Sequence, residues 1–221
     1  MTFWNWEWVA EHLDLIGHRL LEHLYLTTVA VVIGLLISIP LAILAHRHRR
    51  LYPPVAWTTG VLYTIPSLAL LSFLLPFTGL TATTAEIALV SYTLLILIRN
   101  TVTGLAGVPE DVKEAARGMG YTERGLLWRV EVPTALPAII AGIRIATVTT
   151  IGLVTVTALI GLGGLGHLMY GGFRNLYPDI VILVAVALSV ALAVAADAAI
   201  LALQRLASPW TRGTARRAVA A

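Results

Sequence analysis

The amino-acid sequence predicts an all-α integral membrane protein. It has five transmembrane helices, the N-terminus outside, the C-terminus cytoplasmic, and one long helical loop on the cytoplasmic side. Three observations carry this fold class. Hydrophobic residues make up 58% of the 221 and charged residues only 12%, for a mean hydropathy of +0.84. A soluble domain carries about 25% charged residues, so these charges cannot coat a globule and part of the solvent must be lipid. Five apolar runs each supply the roughly 20 residues that a helix needs to cross a hydrocarbon core. The basic residues between the runs fall on alternate connections, the pattern that sets topology. The same pattern accounts for the pI of about 9.5, so no nucleic-acid partner is expected.

The first element, residues 1–22, is not a secretory signal. A signal peptide opens with positive charge, whereas this segment opens with Trp4, Trp6, Glu7, Trp8 and Glu11. Val9, Leu13, Ile16, Leu20 and Leu21 recur at helical spacing, which predicts an amphipathic helix at the outer interface with its tryptophans at headgroup level. The membrane-spanning body runs over about residues 23–206, with spans at roughly 24–45, 55–77, 85–105, 138–160 and 180–203. Residues 207–221 form a basic tail. Lipid offers the backbone no hydrogen-bond partner, so each span must be helical, and Pro40 and Pro66 are expected as kinks inside continuous helices. A β-barrel would need shorter segments of alternating polarity.

Orientation follows from the arginines and lysine. Arg47, Arg49 and Arg50 follow span 1; Lys113, Arg117, Arg124 and Arg129 follow span 3; Arg212, Arg216 and Arg217 lie in the tail. The opposite connections hold Arg19 and Arg174. The face richer in basic residues is the cytoplasmic one.

The loop over residues 107–137 carries the functional signal. Pro109, Glu110 and Asp111 suit the start of a helix, and Arg117 suits its negative end. Gly118 and Gly120 stop it, and Thr122 is placed to cap a second short helix through Arg129. Pro133 and Pro137 are expected to punctuate the return to the membrane. Ala115 and Ala116 would let another surface approach the backbone, and Glu114 and Arg117 offer it charge.

The stretch Glu114-Ala115-Ala116-Arg117-Gly118-Met119-Gly120, then nine residues, then Val130-Glu131-Val132-Pro133, resembles the EAA motif of ABC importer permeases. Val130 and Val132 stand for the usual Ile and Leu and keep apolar character. The resemblance implies the type I importer permease fold in a bacterial inner membrane. It implies that this loop docks on a cytoplasmic ATPase, which holds the ATP and Mg; no cofactor is expected on this chain, which is not itself an enzyme. It further implies a second permease subunit, identical or homologous, and a separate extracytoplasmic substrate-binding protein.

Within these permeases the chain is most similar to the osmoprotectant group for glycine betaine, choline, carnitine and proline betaine. Residues 65–71 (IPSLALL), Arg99-Asn100-Thr101, Ala141-Gly142-Ile143-Arg144 and residues 160–166 (IGLGGLG) carry that likeness, although the family more often has Ala where Leu162 stands. Permeases for methionine and other small solutes share parts of it and stay open as an alternative.

Candidates for the path or gate are Tyr63, Ser67, Tyr92, Asn100, Thr150, Thr157, Gly163, Gly164 and Tyr170, with Phe173 a further aromatic. The threonines of span 4 equally suit close helix packing. Arg99, Arg144 and Asp197 lie inside spans, where ionisable groups are costly and functional by default; their common depth predicts an ion-pair cluster or snorkelling arginines. Gly161, Gly163 and Gly166 match a dinucleotide fingerprint formally, but they follow a membrane span and lack the strand that the fingerprint requires. The chain has no cysteine, and its six histidines show no metal-ligand spacing, so no metal site is expected. An ion-coupled secondary transporter would show internal repeats and midplane charges. No repeat is visible, and a docking loop has no use in such a transporter or in a simple membrane anchor.

Overall fold

The computed structural model describes residues 5–208, which form helices and short connections. Trp4 and the tail arginines Arg212, Arg216 and Arg217 lie outside the described residues. Helix α1, Trp6–Glu11, is capped by Asn5, whose side chain accepts from the Trp8 amide at 3.0 Å. His12 stacks on Trp8, with ring centroids 4.0 Å apart, and closes α1 directly onto α2, Leu13–Arg47. Span 1 therefore begins well before residue 24, and no helix boundary falls between residues 22 and 23. Residues 13–22 of the amphipathic segment are the opening turns of one 35-residue helix.

Span 2 departs from expectation. Helices α3, Tyr52–Thr64, and α4, Ser67–Thr78, meet at a 95° bend instead of forming one kinked rod. Pro66 has no N–H and forces Ile65 into an extended conformation (φ −66°, ψ 126°), so the ladder stops there. Among the described residues four helical segments are long and apolar enough to span alone, and the bent pair meets the same measure only when its two helices are taken together.

Helix α5, Ala82–Ala106, is the central post. In lipid, helices associate through close packing rather than through expulsion of water, so small residues mark the contacts. Gly34 of α2 lies so close to α5 that a Cβ there would stand 2.1 Å from the Thr93 Oγ1. On α8, Val132–Val154, Gly142 meets Asn100, where a Cβ would approach within 2.5 Å; Gly104 of α5 meets Ala135 and Ala138. Leu70 and Leu71 of α4 close over Ala85, Ala88 and Tyr92.

Helix α6, Glu110–Gly118, and α7, Glu123–Leu126, form the cytoplasmic hairpin. Pro133 and Pro137 do not interrupt the return to the membrane, contrary to expectation. A π-helical turn at Leu127–Glu131 shifts the hydrogen-bond frame ahead of Pro133, which enters α8 in its first turn. The chain is then helical without a break from Glu123 to Ile160, ending in a 3₁₀ segment at Thr155–Ile160. A glycine turn leads to α9, Leu165–Phe173, and then α10, Ile180–Ala207. Ile16, Leu165, Leu168, Ile180 and Val181 tie α2, α9 and α10 together at the end opposite the hairpin.

Candidate functional site

The hairpin has a bonded inner face and a bare outer one. Inside, Leu127 packs with Leu105, Ala135 and Ile139, which fuses the loop to α5 and α8. Ala116 is 1% exposed, so only Ala115 of the two alanines faces outward, a correction to the expectation that both would. The Tyr121 amide donates to the Ala116 carbonyl at 3.2 Å, and Gly120 takes a left-handed conformation (φ 85°), so α6 ends in a tight turn. Thr122 caps α7, accepting from the Gly125 amide at 3.2 Å.

Arg117 is spent within the hairpin instead of being offered to a partner. It donates to Glu110 at 3.2 Å and Glu123 at 3.3 Å, and Lys113 donates to Glu110 at 2.9 Å. These donors, Lys113 first and then Arg117, hold the Glu110 carboxyl below its ordinary value. Glu110 and then Glu123 raise the Arg117 guanidinium. Glu114 is exposed and makes no ion pair among the described residues. Met119 and Trp128 are also exposed, 72% and 58%. Val130 and Pro133, at the end of the motif, are half-buried where the loop joins α8.

A cleft of about 690 Å³ separates the hairpin from the basic segment after α2, lined by His46, Arg47, Arg49 and Tyr52 opposite Glu110 and Glu123. Arg47 bridges it, donating to the Glu123 carbonyl at 3.3 Å, and His46 lies 3.7 Å from the buried Glu131.

Of the three intramembrane charges, the structure brings two together. Arg144 on α8 grips Asp197 on α10 in a two-pronged pair, Nε–Oδ1 and Nη2–Oδ2 both 2.7 Å. The pair edges a 560 Å³ cavity with Ile145, Val148 and Val194. Arg99 is exposed on α5 and is not a member of it, so there is no cluster of three.

The path candidates fall into separate places. Tyr63, Ser67 and Tyr92 gather at the bend of span 2: Tyr92 is buried and its hydroxyl donates to the Ile65 carbonyl at 2.5 Å, while Tyr63 stacks edge-on against it at 5.9 Å. Asn100 donates to the Ile96 carbonyl at 2.8 Å where α5 meets α8. Thr150 and Thr157 are each 1% exposed and donate to their own helix, to Ala146 and Val154. Gly163 and Gly164 shape the turn before α9, and Tyr170 lies half-buried with Arg174 5.8 Å above its ring.

Sequence reasoning passes over two groups. Glu86, at the outer edge of span 3, has both carboxylate oxygens buried without a partner; its charge inside an apolar run is the signal. His23 is completely buried, and nothing local in the sequence marks it, because its partner lies 128 residues away.

A bundle of bilayer-length helices with a helical hairpin fused to two of them is that of a multi-pass membrane protein. The chain belongs to the family of binding-protein-dependent transport system inner membrane components, whose sequence profile matches residues 30–212. It is 40% identical over 176 residues to the osmoprotectant import permease protein OsmW of Salmonella typhimurium, covering 77% of this chain and 81% of the relative. It is 39% identical over 170 residues to the carnitine transport permease protein OpuCB of Listeria monocytogenes, covering 75% and 78%. Against the glycine betaine/carnitine/choline permease protein OpuCB of Bacillus subtilis the identity is 36% over 188 residues, 85% and 86% of the two chains. The fold is that of a chain in inward-facing structures of the MetNI methionine ABC transporter, with a TM-score of 0.81 at 24% identity over 89% of this chain and 98% of that one.

Proposed function

We propose that this chain is the path-forming permease subunit of an ATP-driven importer for small quaternary-ammonium osmoprotectants: glycine betaine, choline, carnitine or proline betaine. Two copies, or one copy and a homologous partner, enclose the path. Two cytoplasmic ATPase subunits hold ATP and Mg, and an external binding protein delivers the solute. The substrate class rests on the relatives, whose names cite carnitine, choline, glycine betaine and osmoprotectants.

The single observation that carries the coupling role is the hairpin's outer face. Glu110, Lys113, Arg117 and Glu123 are engaged in the ion pairs described, whereas Glu114 and Ala115 stand exposed on the helix that ends at Met119. A partner groove that receives this face then pushes on a rigid element. The continuous helix Glu123–Ile160 passes that push to the far end, about 55 Å away at 1.5 Å per residue. An aromatic cage for the quaternary ammonium belongs to the binding protein, where the cation is first desolvated.

The test is a pull-down from mild detergent. Wild type is expected to bring an ATPase subunit with it and Glu114→Arg to lose it. Absence of any ATPase with wild type overturns the reading. Uptake of labelled glycine betaine, choline and carnitine then fixes the solute, and uptake of methionine in their place overturns the substrate class.

A further inference from the structure

The end of the bundle opposite the hairpin holds a device that the family match does not describe. Helix α8 changes there from α to 3₁₀ geometry. The Thr155 amide turns back to Gly152 and Leu153, so the Ile151 carbonyl loses the donor it would have had. His23, on the neighbouring α2, supplies a replacement, its Nε2 lying 3.0 Å from that oxygen. A carbonyl only accepts, so Nε2 carries the proton and Nδ1 is a bare acceptor. That Nδ1 is buried with no partner, a cost seldom retained without a use.

The glycine turn is seated on the same spot. Gly164 (φ 49°) lies against α2 so closely that a Cβ would stand 2.6 Å from the His23 amide nitrogen and 2.7 Å from the Arg19 carbonyl. Gly163 presses on Ala158 in the same way, at 2.4 Å from its amide nitrogen, and Gly166 on the Thr155 carbonyl at 2.2 Å. The turn is therefore clamped between α2 and the tip of the long helix, and His23 is a side chain that hydrogen-bonds from the one element to the other.

We propose that His23 is the positioning residue that latches the far tip of the Glu123–Ile160 helix to α2. In doing so it holds the glycine turn shut until force from the hairpin draws the tip away. One hydrogen bond to a carbonyl that has lost its ordinary helical donor is enough for a latch, because breaking it leaves a buried acceptor short of a partner. The latch rests on the importer reading only for what pulls it open; its closed geometry stands on the contacts just described.

The chain has no cysteine, so one introduced thiol reports the turn cleanly. Thr157→Cys places it at a position 1% exposed. In the assembled complex, labelling by a membrane-impermeant maleimide should be slow with His23 present. His23→Asn, too short to reach Ile151, should label about tenfold faster. His23→Gln, whose amide still donates at near-imidazole reach, should return to within about threefold of the parent. Equal labelling of all three, or His23→Gln labelling as fast as His23→Asn, overturns the latch. Should His23→Asn not assemble, amide exchange in the unmutated chain decides: residues 155–166 must exchange more slowly than 118–122, and equal rates overturn the proposal. Failure of ATP-driven uptake in every chain, with the labelling order intact, would instead count against the importer reading.

Discussion

The two ends of this bundle are closed by different physics. At the hairpin end, exposed side chains hold the structure: Glu110, Lys113, Arg117 and Glu123 form ion pairs in solvent, over a buried strip of Leu126 and Leu127. At the opposite end, backbone meets backbone through Gly163, Gly164 and Gly166, with His23 buried beside them. The first arrangement leaves an outer face for a partner to fit. The second turns its glycines inward, since the turn closes onto the same chain.

Matched glycines give the largest contrast. Gly164 and Gly120 both have left-handed backbones, φ 49° and 85°, but Gly120 has open space where a Cβ would go. Gly164→Ala adds a backbone clash to the conformational strain and should cost about 3–5 kcal/mol, abolishing monodisperse protein. Gly120→Ala bears the strain alone, about 1 kcal/mol, and should only lower the temperature at which the detergent-solubilised protein aggregates. Equal damage at both positions would erase the distinction between the ends.

Next in size stands the ion pair between the ends. Asp197→Ala strands Arg144 beside the cavity between α8 and α10, on a face where lipid would not solvate it. The expected outcome is poor recovery of the complex, with the ratio of betaine to choline uptake unchanged in what assembles. Normal assembly with altered selectivity would make the pair a substrate contact.

The hairpin end was legible in the sequence because it is written locally. Pro109, Gly120 and Thr122 each act within four residues, and the helix start, turn and cap fall where they are expected. What failed there concerns direction: nothing local says that Ala116 turns inward or that Arg117 finds Glu110 and Glu123. The five apolar runs were legible as lengths, but their breaks were not. Pro40 leaves α2 continuous, Pro66 breaks span 2, and Pro133 enters α8 after a π turn, so one residue type gives three outcomes set by its surroundings. At the other end the glycines read as a tight turn, yet the group they close on, His23, is joined to its partner only by tertiary packing. The pairing of Arg144 with Asp197 was half legible, since common depth suggested it but also drew in Arg99.

Tyr92 tests whether the bend of span 2 belongs with the tightly closed end. Its hydroxyl donates to the Ile65 carbonyl, which the break at Ile65-Pro66 leaves outside the ladders of both helices. Tyr92→Phe keeps the ring against Tyr63 and removes only that donor, so the cost should be about 1 kcal/mol, seen as a small fall in thermal stability. A loss as large as that of Gly164→Ala would mean that the bend, not the glycine turn, is the critical closure.

The smallest effect belongs to the hairpin's surface pairs, and its sign is fixed. Lys113 and Arg117 hold Glu110 below the ordinary carboxyl value of 4.5. A carboxyl with a lowered folded value stabilises fully above its free value and loses that contribution as pH falls through the lowered one. Amide exchange across Glu110–Gly118, compared with that of Glu110→Gln, should therefore show a constant ratio at neutral pH that closes only below 4.5. Because the pairs are solvent-exposed, about 0.5 M salt should shrink the ratio even at pH 7. The same salt should leave exchange at residues 155–166 unchanged, since no exposed ion pair holds that turn. A salt response there would show that the Arg19–Glu22 pair, 2.7 Å apart beside the turn, shares in closing it, and the two ends would differ in degree rather than in kind.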